Sequence, residues 1–267
     1  MPQALVTDCG VATIGAGPVI TAAKAGVGST FTVRNFPFSS KASLVDMWFQ
    51  APHAGMIRVR SPKFADNVQG IRFNTNGVLN GGLLDPSAAQ VLIPQDNLIV
   101  ELNGTAADVG FAAIQSWYDD LSGASPVLKM PGDIVGQMEF ADTWVVACTT
   151  PATAGDIGGD AITTTYDVSQ ANRWYAVLGY YVDAAVGAVG ITGADLSNLN
   201  IMGPGDITAK ASSRYFADRS LELGKPCIPL FNTANKGNTQ VVTANEAASL
   251  AVNVTLNVAI MPASWQP

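Results

Sequence analysis

The sequence predicts an all-β chain of two tandem antiparallel sandwiches, with short helices confined to loops. Three observations carry that expectation: strict period-two hydrophobic alternation near the C-terminus, turn residues punctuating many short apolar runs, and a series of features that occurs twice in one order. The chain has 267 residues, of which 48% are hydrophobic and 13% charged. That is enough apolar material for two cores of ordinary domain size. Fourteen Lys and Arg against 21 Asp and Glu leave a net charge of −7. An acidic, lysine-poor surface does not gather phosphate backbones, so no specific nucleic-acid binding is expected.

In the first half, segments 31–35, 44–50, 56–60, 98–102 and 109–118 read as strands, because β-branched and aromatic residues fill them and turn residues bound them. In the second half the same signals mark 143–149, 161–168, 174–182, 188–192, 239–244 and 250–261. The last is the clearest. Leu250, Val252, Val254, Leu256, Val258 and Ile260 share one parity, and Ala251, Asn253, Thr255, Asn257 and Ala259 the other, which describes a strand with one dry face and one wetter face. Turns are expected at Asn76-Gly77, Asn80-Gly81-Gly82, Asn103-Gly104 and Lys236-Gly237-Asn238. Helix is expected over 208–221, where Arg214 and Asp218 lie one turn apart, and over 86–91.

The stretch 174–194 carries only Asp183 as a charge and is long enough to cross a bilayer. Its apolarity comes largely from small residues, however, and it reads as two strands about a turn, so no transmembrane segment is expected. The opening Met1-Pro2-Gln3-Ala4 lacks the charged and apolar regions of a secretory signal, which gives the expectation of a protein made and assembled inside a cell. The termini, 1–11 and 262–267, are expected to fray unless another element holds them.

The repeat has an offset of roughly 130–140 residues, the size of a whole domain. A strand at 31–35 precedes the aromatic run Leu44-Val45-Asp46-Met47-Trp48-Phe49, a turn ending in Gly55 and a strand at 56–60. Its counterpart runs from 162–166 through Trp174-Tyr175-Ala176-Val177-Leu178 and a turn ending in Gly187 to a strand at 188–192. Asn-containing segments follow at 66–70 and 197–201. Each half then reaches an Ile-Pro step, Ile93-Pro94 and Ile228-Pro229, and closes with an Asn turn, an Ala pair and a long strand. Gly55 to Pro94 spans 39 residues and Gly187 to Pro229 spans 42. The units are placed at 1–122 and 142–267, with 123–141 as a connector poor in strand signals. On this reading Trp48 and Trp174 hold nearly equivalent places and have a packing role inherited with the fold.

The usual catalytic and binding arrangements are absent from the sequence or incomplete in it. The only histidine, His53, follows Pro52 in a turn, and no Gly-x-Ser-x-Gly elbow accompanies it. The run Gly15-Ala16-Gly17-Pro18-Val19-Ile20 lacks the third glycine of a dinucleotide fingerprint. Cys9, Cys148 and Cys227 are too widely spaced for a zinc pattern and odd in number for a disulfide framework. Asp119-Asp120 are adjacent on a strand end, where neighbouring side chains point apart, and do not form a glycosidase pair. Asp156-Ile157-Gly158-Gly159-Asp160 lacks the dense carboxylates of a calcium loop. Asn103-Gly104-Thr105 and Asn253-Val254-Thr255 match a glycosylation sequon, which means little without a secretory signal. The tryptophans, Trp48, Trp117, Trp144, Trp174 and Trp265, could line a sugar platform, though packing explains them more simply. The expectation is a chain that is not an enzyme, with no catalytic, cofactor-binding or metal-binding residues and no cofactor.

The paired strand series, the two Ile-Pro steps and the closing strands at 109–118 and 250–261 resemble the double jelly-roll major capsid proteins of tailless icosahedral bacteriophages. The likeness is architectural and covers nearly the whole chain, with no short family motif. It implies two jelly rolls, self-assembly as a homotrimeric capsomer, contacts with neighbouring capsid subunits and with minor virion proteins, and a place in the virion after assembly in the host cytoplasm. It also implies that the excursions 62–92 and 193–225 are tower or inter-capsomer loops. Two other readings stay open: a two-module carbohydrate-binding or adhesive sandwich protein, and another virion component such as a decoration or fibre protein.

Overall fold

The computed structural model describes residues 2–15, 20–25, 31–63, 68–75, 79–83, 90–162, 172–205 and 212–267. In the first half the strands are β1 (Ala4–Thr13), β2 (Thr21–Ala22), β3 (Lys24–Ala25), β4 (Phe31–Thr32), β5 (Ala42–Gln50), β6 (Gly55–Arg60), β7 (Ile71–Thr75), β8 (Leu79–Leu83), β9 (Gln90–Val91), β10 (Asn97–Asn103) and β11 (Val109–Tyr118). After β12 (Leu128–Lys129) and the short helix α1 (Pro131–Val135), the second half holds β13 (Phe140–Thr149), β14 (Gly158–Ala161), β15 (Trp174–Val182), β16 (Val186–Thr192) and β17 (Ile201–Gly205). Helix α2 (Tyr215–Leu223), β18 (Ile228–Asn232), β19 (Gln240–Ala244) and β20 (Ala251–Ile260) complete it. The chain is all-β, and every strand pairing among the described residues is antiparallel.

The two halves order their strands alike. One sheet of the first half runs β1-β11-β5, with β8 and β9 both on the free edge of β5, and its facing sheet runs β2-β10-β6-β7. The second half repeats this as β13-β20-β15-β18 and β14-β19-β16-β17. Counting eight strand positions along each half, with β9 and β18 as the sixth, both halves read 1-8-3-6 in one sheet and 2-7-4-5 in the other. First and last strands of each half are therefore neighbours, and the last is a central strand of its sheet. The ladders they form match residue for residue in length: Ala4 to Thr13 against Tyr118 to Val109, and Phe140 to Thr149 against Ile260 to Ala251.

Several expectations need correction. The N-terminal segment, expected to fray unless held, is held: residues 4–13 form the ten-residue strand β1, paired along its whole length with β11. The connector 123–141 is less plain than its composition suggests, because Leu128 and Lys129 pair with Pro229 and Ile228 and β13 already begins at Phe140. Strand 31–35 forms a ladder only at Phe31 and Thr32, and Val33 then exchanges backbone hydrogen bonds with Asp96 and Gln95. The expected turn at Asn80-Gly81-Gly82 belongs to β8, with Gly81 opposite Trp48. Of the helix expected over 208–221, residues 208–211 lie outside the described residues, and the rest is a 3-10 turn at Ser212–Arg214 and then α2, which ends two residues later than expected. Gly224 stops it by taking a left-handed φ of 62°, which glycine adopts without steric cost. Arg214 and Asp218 make the expected one-turn pair at 3.4 Å. In the expected helix 86–91, Gln90 and Val91 form β9, and 84–89 lie outside the described residues, as do 163–168 of the expected strand 161–168.

Alternation in β20 follows its sequence except at Ala259, which is buried although it shares the wetter parity. Val252, Val254, Leu256, Val258 and Ile260 are buried, Leu250 packs half-buried against the same core, and Ala251 and Asn253 are exposed. Burying each such aliphatic side chain stabilises the fold by roughly 1.5–3 kcal/mol. Val254 is fully buried between β13 and β15, so Val254→Asp would put an unpaired charge where no water reaches. The expected outcome is loss of soluble folded protein, whereas Leu256→Ala should fold with about 2–5 kcal/mol less stability in denaturant titration.

Candidate functional site

In an ordinary sandwich each sheet has one wet face. The sheet β1-β11-β5 has none, because the second half covers what would be its outer face. One side of it supplies Val6, Leu44, Met47, Phe49 and Ile114 to the first half's own core. From the other side, Leu5, Val45 and Trp117 join the second half's core. Cys9, Trp48, Phe111 and Ala113 meet Ala188, Met202, Val242 and Ala244 from β16, β17 and β19. The two halves are thus joined face to sheet, through a seam as dry as either core.

Several of the seam's polar groups find partners across it, while Asp46 Oδ1 and Gln50 Oε1 are buried without a hydrogen-bond partner. Register aligns Thr7, Gln115 and Asp46 in one cross-strand row. The Thr7 hydroxyl donates to the Met202 carbonyl at 3.1 Å, and Gln115 Nε2 donates to the same oxygen at 2.7 Å. The Thr7 amide reaches the Asn200 carbonyl at 3.0 Å. One row further, Trp48 Nε1 donates to the Gly187 carbonyl at 2.7 Å. Gly187 has to be glycine, since an added Cβ would lie 2.6 Å from the Phe111 ring.

Helix α2 closes the seam at one end. It buries Tyr215, Phe216, Ala217, Arg219 and Ser220, so this part of the excursion 193–225 is an internal joint and not a projecting tower. Arg219 is 1% exposed and donates to Gln115 Oε1 at 3.2 Å and to the Val45 carbonyl. Its Nη2 lies 3.4 Å from Asp46 Oδ2. Burial pushes the Asp46 carboxyl up to about 7, against the pull of Arg219. At the rim, Lys225 Nζ donates to Asp119 Oδ1 at 3.0 Å and sits 5.7 Å from the centre of the Trp117 ring. Trp117 Nε1 also donates to Asp119, at 2.8 Å. Burial works to raise the Asp119 carboxyl, but these two hydrogen bonds hold it below its ordinary range.

The residues considered for chemistry are dispersed. His53 is exposed, with Nδ1 2.9 Å from Asp108 Oδ2. Asp119 is the rim anchor just described, and Asp120 next to it takes no part. Asp160 accepts from the Thr149 amide at 3.0 Å. Cys9, Cys148 and Cys227 are free and buried, and burial raises all three thiols. In the run 15–20, residues 16–19 lie outside the described residues. Among the described residues no group of three His, Cys, Asp or Glu could hold a metal, and no helix is long and apolar enough to cross a membrane.

Trp48, Trp117, Trp144 and Trp174 are buried, and Trp265 packs edge-on against Trp174. The expected equivalence of Trp48 and Trp174 does not hold, because Trp174 precedes the first residue that β15 pairs with β20, while Trp48 lies deep in its ladder. By register the counterpart of Trp48 is Tyr181. Sequence reasoning missed the seam residues, and the one available signal was the lack of a polar parity in 4–9 and 111–117.

No family model and no curated protein matches the chain. Among solved structures it is similar to the PBSX exported protein XepA, at 13% identity and a TM-score of 0.24 over 97% of this chain and 86% of that one. It is also similar to the STIV MCP, at 8% identity and a TM-score of 0.21 over 97% of both chains. Scores of this size establish no common fold.

Two outcomes test the seam. The folded chain holds the Asp46 proton more tightly than the unfolded chain, so that contribution to stability is complete below the ordinary carboxyl value of 3.8 and lost as pH rises through about 7. Glu246 acts in the same direction, raised to about 7 by burial and by Asp108. The melting temperature should fall between pH 5 and pH 8, and Asp46→Asn should flatten part of that fall. Arg219→Met should cost about 3–5 kcal/mol at pH 8, because it strands Asp46 in a dry seam and takes a donor from the Val45 carbonyl.

Proposed function

We propose that the chain is a structural virion protein, a major capsid protein that self-assembles into the capsomers of an icosahedral shell. The observation that carries this reading is the repeated strand order 1-8-3-6 and 2-7-4-5 in two consecutive halves. That order is the two-Greek-key wiring of a jelly roll, an architecture used by capsid and lectin domains. On this reading 1–122 and 142–267 are two jelly rolls, the chain is a double jelly roll, and three chains make a homotrimeric capsomer of a tailless bacteriophage shell.

The chain is not an enzyme on this reading. The support is chemical: its one histidine is exposed in a turn, its thiols are buried with raised pKa values, and its carboxylates are scattered. A lectin-like pair of modules is disfavoured by the burial of Trp48, Trp117, Trp144 and Trp174, since a sugar platform needs an open aromatic face. A strongly buried seam suits a shell subunit, which must transmit load between its halves without opening.

The purified chain should sediment as a trimer, or as larger closed particles visible by electron microscopy, and should bind no glycan on an array. A monomer at millimolar concentration would overturn the capsid reading, and saturable glycan binding by that monomer would favour the two-module alternative.

A further inference from the structure

At the ends of β1 and β11 that lie away from the Lys225–Asp119 pair, the two halves meet around an open cleft of about 470 Å³. Val11, Ala12, Val109 and Lys24 line it from the first half, and Ala154 and Glu246 from the second. Hydrogen bonds fix both walls. Ile14 N donates to the Asp108 carbonyl and Ala107 N to the Ile14 carbonyl, each at 2.8 Å, and Lys24 pairs with Val11. Across the cleft Gly155 N donates to the Asn245 carbonyl at 2.8 Å, and the Thr150 hydroxyl donates to the Ala247 carbonyl at 3.3 Å. Those two bonds hold the turn that carries Glu246. Gly155, at a left-handed φ of 83°, brings its loop against Val11, where an added Cβ would lie 3.0 Å from Cγ1. The cleft is therefore preformed.

Glu246 lacks the partner that a carboxyl in such a place needs. Its Oε2 is buried and accepts no hydrogen bond. Burial, and then the Asp108 carboxylate, push its carboxyl up to about 7, and no basic group offsets them. Asp108 is itself engaged, with His53 Nδ1 2.9 Å from its Oδ2. Asp156, two residues beyond Ala154, has a buried Oδ1 that is also without a partner. Lys24 is the one basic group in the lining and is exposed, so water holds its charge. Among the described residues no group of three His, Cys, Asp or Glu could hold a metal, so the cation missing beside Glu246 is an organic one.

We propose that this cleft binds an aliphatic primary ammonium group, its charged head beside Glu246 and its alkyl stem against Val11, Ala12, Val109 and Ala154. The assignment stands apart from the shell-subunit reading and holds for any role of the whole chain. Few polar groups in a mostly apolar concavity, placed to orient one end of a ligand, are the usual make-up of a small-molecule site. An ammonium is a compact charge on a flexible stem and suits one carboxyl at the end of an apolar wall. A guanidinium has five donors in a rigid fork, most of which would face aliphatic carbon here. The attraction between the ammonium and Glu246 is stronger beside a partly buried carboxyl than in bulk water. Such a ligand touches both halves and so fastens the end of the seam that α2 does not reach.

The test is calorimetric titration of the full chain with n-butylammonium chloride, against n-butanol and potassium chloride as controls. Saturable one-to-one binding of the amine is expected, with none of the alcohol. Glu246→Gln should weaken it by about tenfold or more, and Lys24→Ala, at an exposed position, should tighten it by removing a like charge. Only the ionised carboxyl attracts the ligand, so a carboxyl raised to about 7 predicts affinity falling about thirtyfold from about pH 8 to about pH 5.5. A second titration with Nα-acetyl-lysine N-methylamide separates the two sources of the group. Binding at least as tight as that of n-butylammonium marks a lysine side chain of another polypeptide, and weaker binding marks a free amine. No saturable binding of either amine would overturn the proposal. So would equal binding of n-butanol, displacement by potassium chloride at the amine's own concentration, or an affinity that Lys24→Ala lowers.

Discussion

A sheet with protein against both faces cannot send any side chain to water, and the central sheet of the first half works under that constraint. Its strands β1, β11 and β5 serve two cores at once. Apolar residues meet the requirement by filling space. Polar ones meet it only by finding partners, which is why Thr7 and Gln115 converge on one carbonyl of β17 and Arg219 is drawn in beside Asp46. An unpaired polar group in such a place costs more than a hydrogen bond contributes. The polar row thus fixes how the halves face each other, while the apolar contacts around it would tolerate a slide.

The same constraint explains what the sequence disclosed and what it hid. Strand β20 has one dry face and one wet face, so its parity is written in plain alternation from Val252 to Ile260. Strands β15 and β11 were legible in extent because Gly, Asn and Asp bound them. Strand β1, in contrast, alternates between two dry environments, and a strand buried on both faces reads as a near-continuous apolar run. Its sequence, with Gly10, Thr7 and Asp8 interspersed, carries no period to find. The duplication was legible as an order of features, yet its register was not. Trp174 resembles Trp48 only by residue type, and it took the ladder pairing to make Tyr181 the counterpart. The seam residues were out of reach for a related reason, since Gln115 and Arg219 lie 104 positions apart and neither belongs to a local pattern.

Duplication also shows how one geometry can be given two chemistries. Within the chain the sheet-to-face contact is apolar, sealed by Trp48, Phe111 and a glycine that leaves no room for a Cβ. The corresponding outer surfaces elsewhere carry Asn, Thr, Tyr and an arginine-glutamate row. Such divergence is what separate demands on solubility would produce after a gene doubled. Buried charge divides by its partners: Asp46, beside one arginine, has its carboxyl raised by burial, while Glu101, also buried, is held by Arg58 and Arg60 and its carboxyl is lowered.

The seam also sets a schedule for synthesis. Strand β11 completes its sheet at Tyr118, but the residues that cover that sheet's second face, Ala188 to Ala244, emerge only later. At about 5–20 residues per second, the interval from Tyr118 to Ala244 is roughly 6–25 s. Throughout it Leu5, Trp48, Phe111 and Trp117 have no permanent cover on the nascent chain. Translation speed through the second half, and whatever chaperone meets that half-finished surface, therefore decide how many chains escape aggregation before they can join anything.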